Sequence, residues 1–220
     1  MFKVSPEIEK KLLNLPESGM GYQIVDATYR DGSVKESLIL NATVSEPVNN
    51  RNVQQLLAAM MKNYSESLYK YSAYSTEIID VKLKTDRGSL RAAKCESSFT
   101  EATTAEDAPS ELTKRDERFA RFSAYEDDKR IDKANKRVLP GTYATTFADA
   151  SYCISQKVDP RDRYALPNPE LVKFVFHISP IEKTQIKRGK VKPNFGLRGG
   201  GDEVIFPIGT THNTVKMASL

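Results

Sequence analysis

Residues 190–211 read KVKPNFGLRGGGDEVIFPIGTT, a glycine tract that opens into a short apolar run headed by an acidic pair. Gly196, Gly199, Gly200 and Gly201 are four glycines within six residues, more than a simple reversal of direction requires. Glycine lacks a Cβ and accepts positive φ, so such a tract either brings backbone amides close to a ligand or lets two strands cross. Asp202 and Glu203 follow at once, at the mouth of whatever that backbone surrounds. The run that includes Val204, Ile205 and Phe206 predicts a strand, and a strand here excludes two nucleotide loops. A P-loop ends in Gly-Lys-Ser/Thr, which GLRGGGDE lacks, and a dinucleotide turn leads from its glycines into a helix.

Working outward, residues 184–191 and 211–217 predict strands on either side of the tract. Upstream, Val172, Phe174, Phe176 and Ile178 alternate with Lys173, Val175 and His177, a strand with one face buried and the other expected to be partly so. LPGTYATT at 139–146 reads as a turn and a strand, and Thr146 followed by Asp149 reads as the start of a helix over 147–155. Residues 110–136 are dense in charge with sparse apolar positions and predict one or two solvated helices broken near 123–125. Residues 97–109, rich in Ser, Thr, Ala and Glu, predict a linker.

The amino-terminal part has a different character. Ser5 and Pro6 predict the cap and first turn of a helix over 5–15, which Pro16 ends. GYQIVDATY and SVKESLILNATV flank Arg30-Asp31-Gly32, a strong hairpin signal. Residues 51–71 carry apolar side chains at helical spacing, Val53, Leu56, Leu57, Met60, Met61, Tyr64, Leu68 and Tyr71, and predict a long amphipathic helix with a buried stripe. Strands over 77–83 and 89–94 follow. The reading is an α+β protein: a small β-module with a helix at 1–48, a helix and strand pair at 49–96, the linker at 97–109, and a second domain at 110–220.

The chain has 220 residues, enough to bury a core without disulfides. Its 39% hydrophobic and 28% charged content is that of a globular protein, and no apolar run reaches the roughly 20 residues that span a bilayer. Residues 1–11 lack the apolar core of a secretory signal, and Cys95 and Cys153 stand far apart, so a cytoplasmic protein with reduced thiols is expected. A net charge of +4 permits a phosphate-bearing ligand without demanding nucleic acid. His177 and His212 are scattered from the cysteines, which argues against zinc. Lys183, Lys187, Arg188, Lys190, Lys192 and Arg198 form a basic approach to the glycines, suited to pyrophosphate or simply to a solvated strand edge. Phe195 is the main ring on offer for stacking a base, a thin basis for nucleic-acid binding.

The order of motifs over 138–220 resembles the ADP-ribosyltransferase-like superfamily, and within it the tuberculosis necrotizing toxin family of NAD glycohydrolases. The matching pieces are Pro140-Gly141-Thr142, Arg163 leading RYALP, the KFVFHI strand, RGKVKPNFG, and Gly199-Gly200-Gly201 before an acidic position. YATT also resembles the Ser-Thr-Ser strand of the transferases, and DEVIFPIGTT their glutamate strand. The resemblance implies a split β-sheet domain that binds NAD between two small sheets and breaks the bond between nicotinamide and ribose. It implies Glu203 as the carboxylate that stabilises the ribosyl cation, and Arg163 as the phosphate holder, with Arg118 and Arg121 as alternatives. Thr142 and Tyr143 would line the nicotinamide side, Thr145 would belong to the same wall, and Phe195 with Gly199, Gly200 and Gly201 would close the cleft. A protein acceptor or an immunity partner would follow from family likeness alone.

Two departures bear on the acceptor. The toxin family has Gln where this chain has Glu203, and the arginine-modifying transferases carry an acid or amide where this chain has Gly201. The plain alternatives are a rim residue for Glu203, an ion-pair partner for Arg163, a helix cap for Thr145 or Thr146, and a strand crossing for the glycines. A non-catalytic module that recruits a partner through its amino-terminal half is the second reading of the whole chain.

Overall fold

A computed structural model describes residues 2–44, 74–75, 77–84, 104–168 and 170–219. The helix expected over 51–71 and the strand expected over 89–94 lie outside them. The amino-terminal expectations that fall inside are met by local chemistry. Helix α1 (Pro6–Asn14) starts where the Ser5 hydroxyl accepts from the Ile8 N–H at 3.4 Å, with Pro6 in the first turn. Strands β2 (Tyr22–Tyr29) and β3 (Val34–Leu40) pair antiparallel through the Asp31-Gly32 turn, which the Asp31 carboxylate braces by accepting from the Ser33 N–H at 2.8 Å.

These elements join β1 (Phe2–Val4), β4 (Thr43–Val44), β5 (Tyr74–Ser75) and β6 (Ile78–Leu83) in a six-stranded sheet of order β5-β1-β4-β3-β2-β6. Helix α1 lays Ile8 and Leu12 on it, against Val25, Ala27, Ile39 and Val81. Strand β6 pairs with β2, so the strand expected over 77–83 completes the amino-terminal sheet.

The carboxy-terminal half is a seven-stranded antiparallel sheet. It contains β7 (Ser110–Leu112), β8 (Phe119–Ser123), β11 (Thr142–Thr146), β12 (Phe174–Ile178), β13 (Gln185–Lys190), β14 (Asp202–Phe206) and β15 (Val215–Ser219), in the order β15-β12-β8-β11-β14-β13-β7. A two-stranded ribbon, β9 (Ile131–Asp132) with β10 (Arg137–Val138), stands apart. Helices α2 (Phe147–Ser155) and α3 (Pro160–Arg163) follow β11. Alternation along the strands feeds two cores. Tyr143, Ile205, Phe122 and Val175 face α2 and Tyr164, whereas Ala144, Val204, Phe206, Phe119 and Phe176 face the other way. In the second core Phe119 and Phe206 meet edge to face at 5.4 Å, a pair that contributes about 0.5–1.5 kcal/mol beyond its buried area.

Strand β11 serves two partners in turn. Thr142, Tyr143 and Ala144 pair with Phe206, Ile205 and Val204 of β14, and then Thr145 and Thr146 pair with Ala120 and Phe119 of β8. The sheet is therefore divided at β11 into a β14-β13-β7 half and a β8-β12-β15 half.

The solvated helices expected over 110–136 are absent from the structure. Strand β8 is central and every one of its residues is buried. Its sequence, FARFS, carries a charge in the middle, and that charge conceals the strand. Arg121 is 1% exposed and forms ion pairs with two carboxylates that are also buried, Glu17 and Asp128, each at 2.9 Å. Glu17 comes from the loop after α1 and also accepts from the Tyr143 N–H at 2.9 Å. One ion network thus fastens the amino-terminal sheet to the carboxy-terminal one. Asn41, bonded to the Asp127 carbonyl at 3.0 Å and the Lys129 N–H at 2.8 Å, adds a second tie.

The end of the expected linker is not solvated either. Thr104 and Ala105 are buried, and the turn they begin packs against the face of the sheet that carries Tyr143.

Candidate functional site

The divided sheet creates a local hydrogen-bonding problem, and its solution builds the first half of the site. Once β11 turns from β14 to β8, the Asp202 N–H loses the strand partner that continued pairing would supply. The Asp149 carboxylate takes its place, accepting from that N–H at 3.0 Å. Asp149 sits in the first turn of α2, where Thr146 caps the helix by accepting from the Asp149 N–H at 3.2 Å. In a reciprocal cap the acidic side chain would reach back to the helix start. Here it is directed to the neighbouring elements.

Asp149 collects further donors. The Arg163 guanidinium engages both carboxylate oxygens, the Tyr164 hydroxyl donates at 2.9 Å, and Thr145 stands 3.5 Å away. Burial works against the charge on Asp149, but Arg163, the Asp202 N–H and Tyr164 together hold its carboxyl below the usual carboxylate range. The same pairing raises Arg163, whose guanidinium also lies over the Tyr152 ring at 5.0 Å. Tyr164 is raised by burial and by the Asp149 charge, although Thr145 opposes the shift. The stabilisation from a depressed carboxylate is present above its unfolded pKa, about 3.9, and is lost as pH falls through the lower folded value. The Tm difference between the native protein and Asp149→Asn is therefore expected to be largest near neutrality and to shrink below about pH 4. Thermal melts across pH check this, and a difference independent of pH would rule it out.

The glycine tract docks on α3. Gly199 N–H donates to the Asp162 carbonyl at 2.8 Å, Gly200 N–H to the Val191 carbonyl at 2.8 Å, and Gly201 N–H to the Arg163 carbonyl at 3.1 Å. All three amides are spent on the protein's own backbone. A Cβ on Gly201 would stand 2.5 Å from the Tyr164 ring and 3.0 Å from the Arg163 carbonyl, and one on Gly199, where φ is +67°, would meet the Val191 carbonyl at 2.7 Å. The tract is thus a crossing of close-packed backbones. Gly201→Ala is expected to cost about 1–3 kcal/mol in urea denaturation, since the ring it meets is buried and held by its hydroxyl on Asp149, with the Arg163 carbonyl behind it. An unchanged midpoint would mean that Tyr164 and α3 yield.

The second half of the site is a cleft on the opposite side of Tyr164. Tyr143 and Ile205 are register partners, and Glu203 lies two residues before Ile205, so all three share one face of the sheet. Across β13 the partner of Glu203 is Gly189, which offers no side chain beside the carboxylate. Glu203 lines a cleft with Ser18, Tyr22, Tyr164, Lys192 and Asn194. The turn that begins at Thr104 covers it. Ala105 N–H donates to Glu203 Oε2 at 3.3 Å, Glu106 takes the Tyr143 hydroxyl, and Lys187 Nζ holds the Glu106 carbonyl at 2.9 Å. The space left has a volume of about 40 Å³, room for a few waters.

The residues expected to form one site therefore divide into groups. Arg163 and Thr145 converge on Asp149, and Arg163 has the ion-pair partner that its plain alternative supposed. Glu203 stands in the adjacent cleft, with Tyr164 between the two groups. Thr142 is buried and bonds the Leu139 carbonyl at 2.6 Å. Tyr143 is buried, but its hydroxyl reaches the turn over Glu203. Phe195 is buried edge to face on Tyr22 at 5.3 Å, locking the 193–197 loop to the amino-terminal sheet. Of the alternative arginines, Arg121 is enclosed in its ion network and Arg118 lies over the Phe147 ring at 4.3 Å.

The basic strip carries its own counter-charges. Arg188 pairs with Glu111 and Glu117, Lys190 with Asp202, Lys192 with Asp107 at 3.8 Å, and Arg198 with Asp162. Cys153 is a buried free thiol, pushed up to about 11 by burial. Among the described residues no group of three or more His, Cys, Asp or Glu side chains is placed to hold a metal, and no helix is long and apolar enough to cross a membrane. Asp149 is the functional-site residue that the sequence did not single out. Its visible signal, an acid three residues after Thr146, marks a cap and not the links to Arg163, Tyr164 and Asp202.

No family model matches the chain, and neither a curated protein nor a solved structure matches it.

Proposed function

We propose that the carboxy-terminal half is an NAD-consuming domain that breaks the bond between nicotinamide and ribose, with Glu203 as its catalytic carboxylate. One observation carries the reading: beside the seam where the sheet divides, Glu203 reaches into a cleft walled by two tyrosines, an asparagine and a lysine. A carboxylate so placed can accept a hydrogen bond from a ribose hydroxyl and oppose the positive charge that builds on the sugar as the bond lengthens. The bonding pair leaves with the nicotinamide nitrogen. A water or a side chain of an acceptor protein then adds to the same carbon and loses its proton to solvent. Lys192 and Asn194 at the rim are the groups suited to the phosphates, and Asp149 with Arg163 positions the start of β14 rather than touching substrate.

With residues 104–107 seated, the cleft is too small for a dinucleotide. NAD would reach Glu203 only when that turn lifts and frees Ala105 and Glu106 from Glu203 on β14, Tyr143 on β11 and Lys187 on β13. The same covering favours a second reading, a non-catalytic module on this framework, in which the turn is permanent packing. Incubation of the purified protein with NAD, alone and with candidate acceptor proteins, separates the two through nicotinamide release. Release that disappears in Glu203→Gln supports the enzyme. Its absence from the native protein, together with no heat of NAD binding, supports the module.

A further inference from the structure

The outer edge of the seven-stranded sheet carries a groove that the proposed reaction does not use. Strand β7 is the edge strand, and all three of its residues are exposed. Thr113, the next residue, donates its N–H to the Thr184 carbonyl at 2.9 Å and accepts from the Lys183 N–H at 2.9 Å, so its main chain faces β13. Antiparallel ladders alternate, which turns the N–H and C=O of Leu112 outward, away from the sheet. Edges of this kind are ordinarily blunted by charge, proline or a bulge. Strand β7 is short, follows Pro109 and carries Glu111, yet it also presents Leu112, 58% exposed, in company with Ile181 at 58% and Ile208 at 66%.

Those three aliphatic side chains line a single groove of about 840 Å³. The ionisable residues that line it with them are Arg137, Lys183 and His212, with no carboxylate among them. Arg137 gives its Nε to Asp132 at 3.0 Å, and Lys183 makes no ion pair among the described residues. The groove therefore combines the outward main-chain N–H and C=O of Leu112, which have no strand partner among the described residues, with apolar side chains and a basic rim.

We propose that this edge receives an extended, acidic segment of a partner protein, which adds to β7 as a further strand. Main-chain bonds to Leu112 set its register, alternate apolar side chains settle among Leu112, Ile181 and Ile208, and intervening carboxylates meet Lys183 and Arg137. A second copy of this chain is the poorer occupant, because it would set one basic rim against another.

Selection of random displayed peptides on the purified protein tests the proposal. The enriched peptides are expected to alternate acidic and apolar residues. A fluorescent synthetic copy of the consensus should bind about tenfold or more weakly to Ile208→Glu, the scale of losing one buried anchor. Lys183→Glu should erase the preference for acidic over neutral peptides. Both positions are exposed, so unchanged thermal melts confirm that the variants fold. Failure to enrich any peptide overturns the proposal, as does binding that survives Ile208→Glu. Sedimentation showing a dimer that Ile208→Glu dissociates would also overturn it, since the edge would then belong to a second copy.

Discussion

Arg121→Met is expected to destabilise the protein by about 3–5 kcal/mol in urea denaturation, the scale of a buried ion pair broken from one side. Arg121 lies in the middle of a fully buried strand and forms two bonds to each of Glu17 and Asp128, with a fifth to the Tyr143 carbonyl at 2.8 Å. Burial disfavours its charge, yet Asp128 and Glu17 more than compensate and raise its pKa. Methionine fills much of the volume but removes the one guanidinium that bonds both enclosed carboxylates, and the neighbouring Arg130 spends its side-chain bonds on the Leu13, Leu15 and Pro140 carbonyls. Adding Glu17→Gln and Asp128→Asn to the variant should recover part of the loss, because neutral amides carry a far smaller burial penalty. A loss below about 1 kcal/mol for Arg121→Met would mean that the network contributes no more than a surface pair.

Glu203→Gln is expected to lower nicotinamide release by about 10²–10³-fold, the effect of deleting one preorganised electrostatic group from a transition state. The substitution is close to isosteric, and the glutamine carbonyl can still accept from the Ala105 N–H that now bonds Oε2 at 3.3 Å. The melting temperature should therefore stay within a degree or two, which separates chemistry from folding. On the proposed reading, what glutamine removes is the negative charge that would face the ribose as positive charge develops there. NAD affinity should change only severalfold, since the ground state carries little of that interaction. Equal release from the two proteins would remove Glu203 from the mechanism. Release restored by Glu203→Asp but not by Glu203→Gln would mark the charge itself as the requirement.

The two variants address different levels of the molecule, and the contrast between them shows where sequence patterns carry information. Glu203 stands out in the sequence because glycines and an apolar run frame it within ten residues, and its proposed role comes from the family resemblance. Arg121 was hidden because its partner Glu17 is 104 residues away, and a charge in a short strand mimics a solvated face. Asp149 lies between these cases. Its cap was legible from Thr146, but its carboxylate is directed by a change of strand partner that no local spacing encodes. The glycine tract shows the same limit. Its composition allowed either an anion cradle or a backbone crossing, and only the contacts with α3 decide for the crossing.

Elements whose stabilising groups lie within a few residues were determined by the sequence itself. These are helix α1 with Ser5 and Pro6, the β2–β3 hairpin with its Asp31-Gly32 turn, helix α2 with Thr146, and the alternating strand β12. Tertiary structure alone decided that β8 is a strand, that β6 belongs to the amino-terminal sheet, and that β11 divides its pairing between two neighbours. It also decided that residues 104–107 close over Glu203. The physical reason is one of range. Caps, turns and periodic faces satisfy backbone groups locally, whereas a buried charge or an unpaired strand edge is satisfied by whichever distant group the fold brings to it.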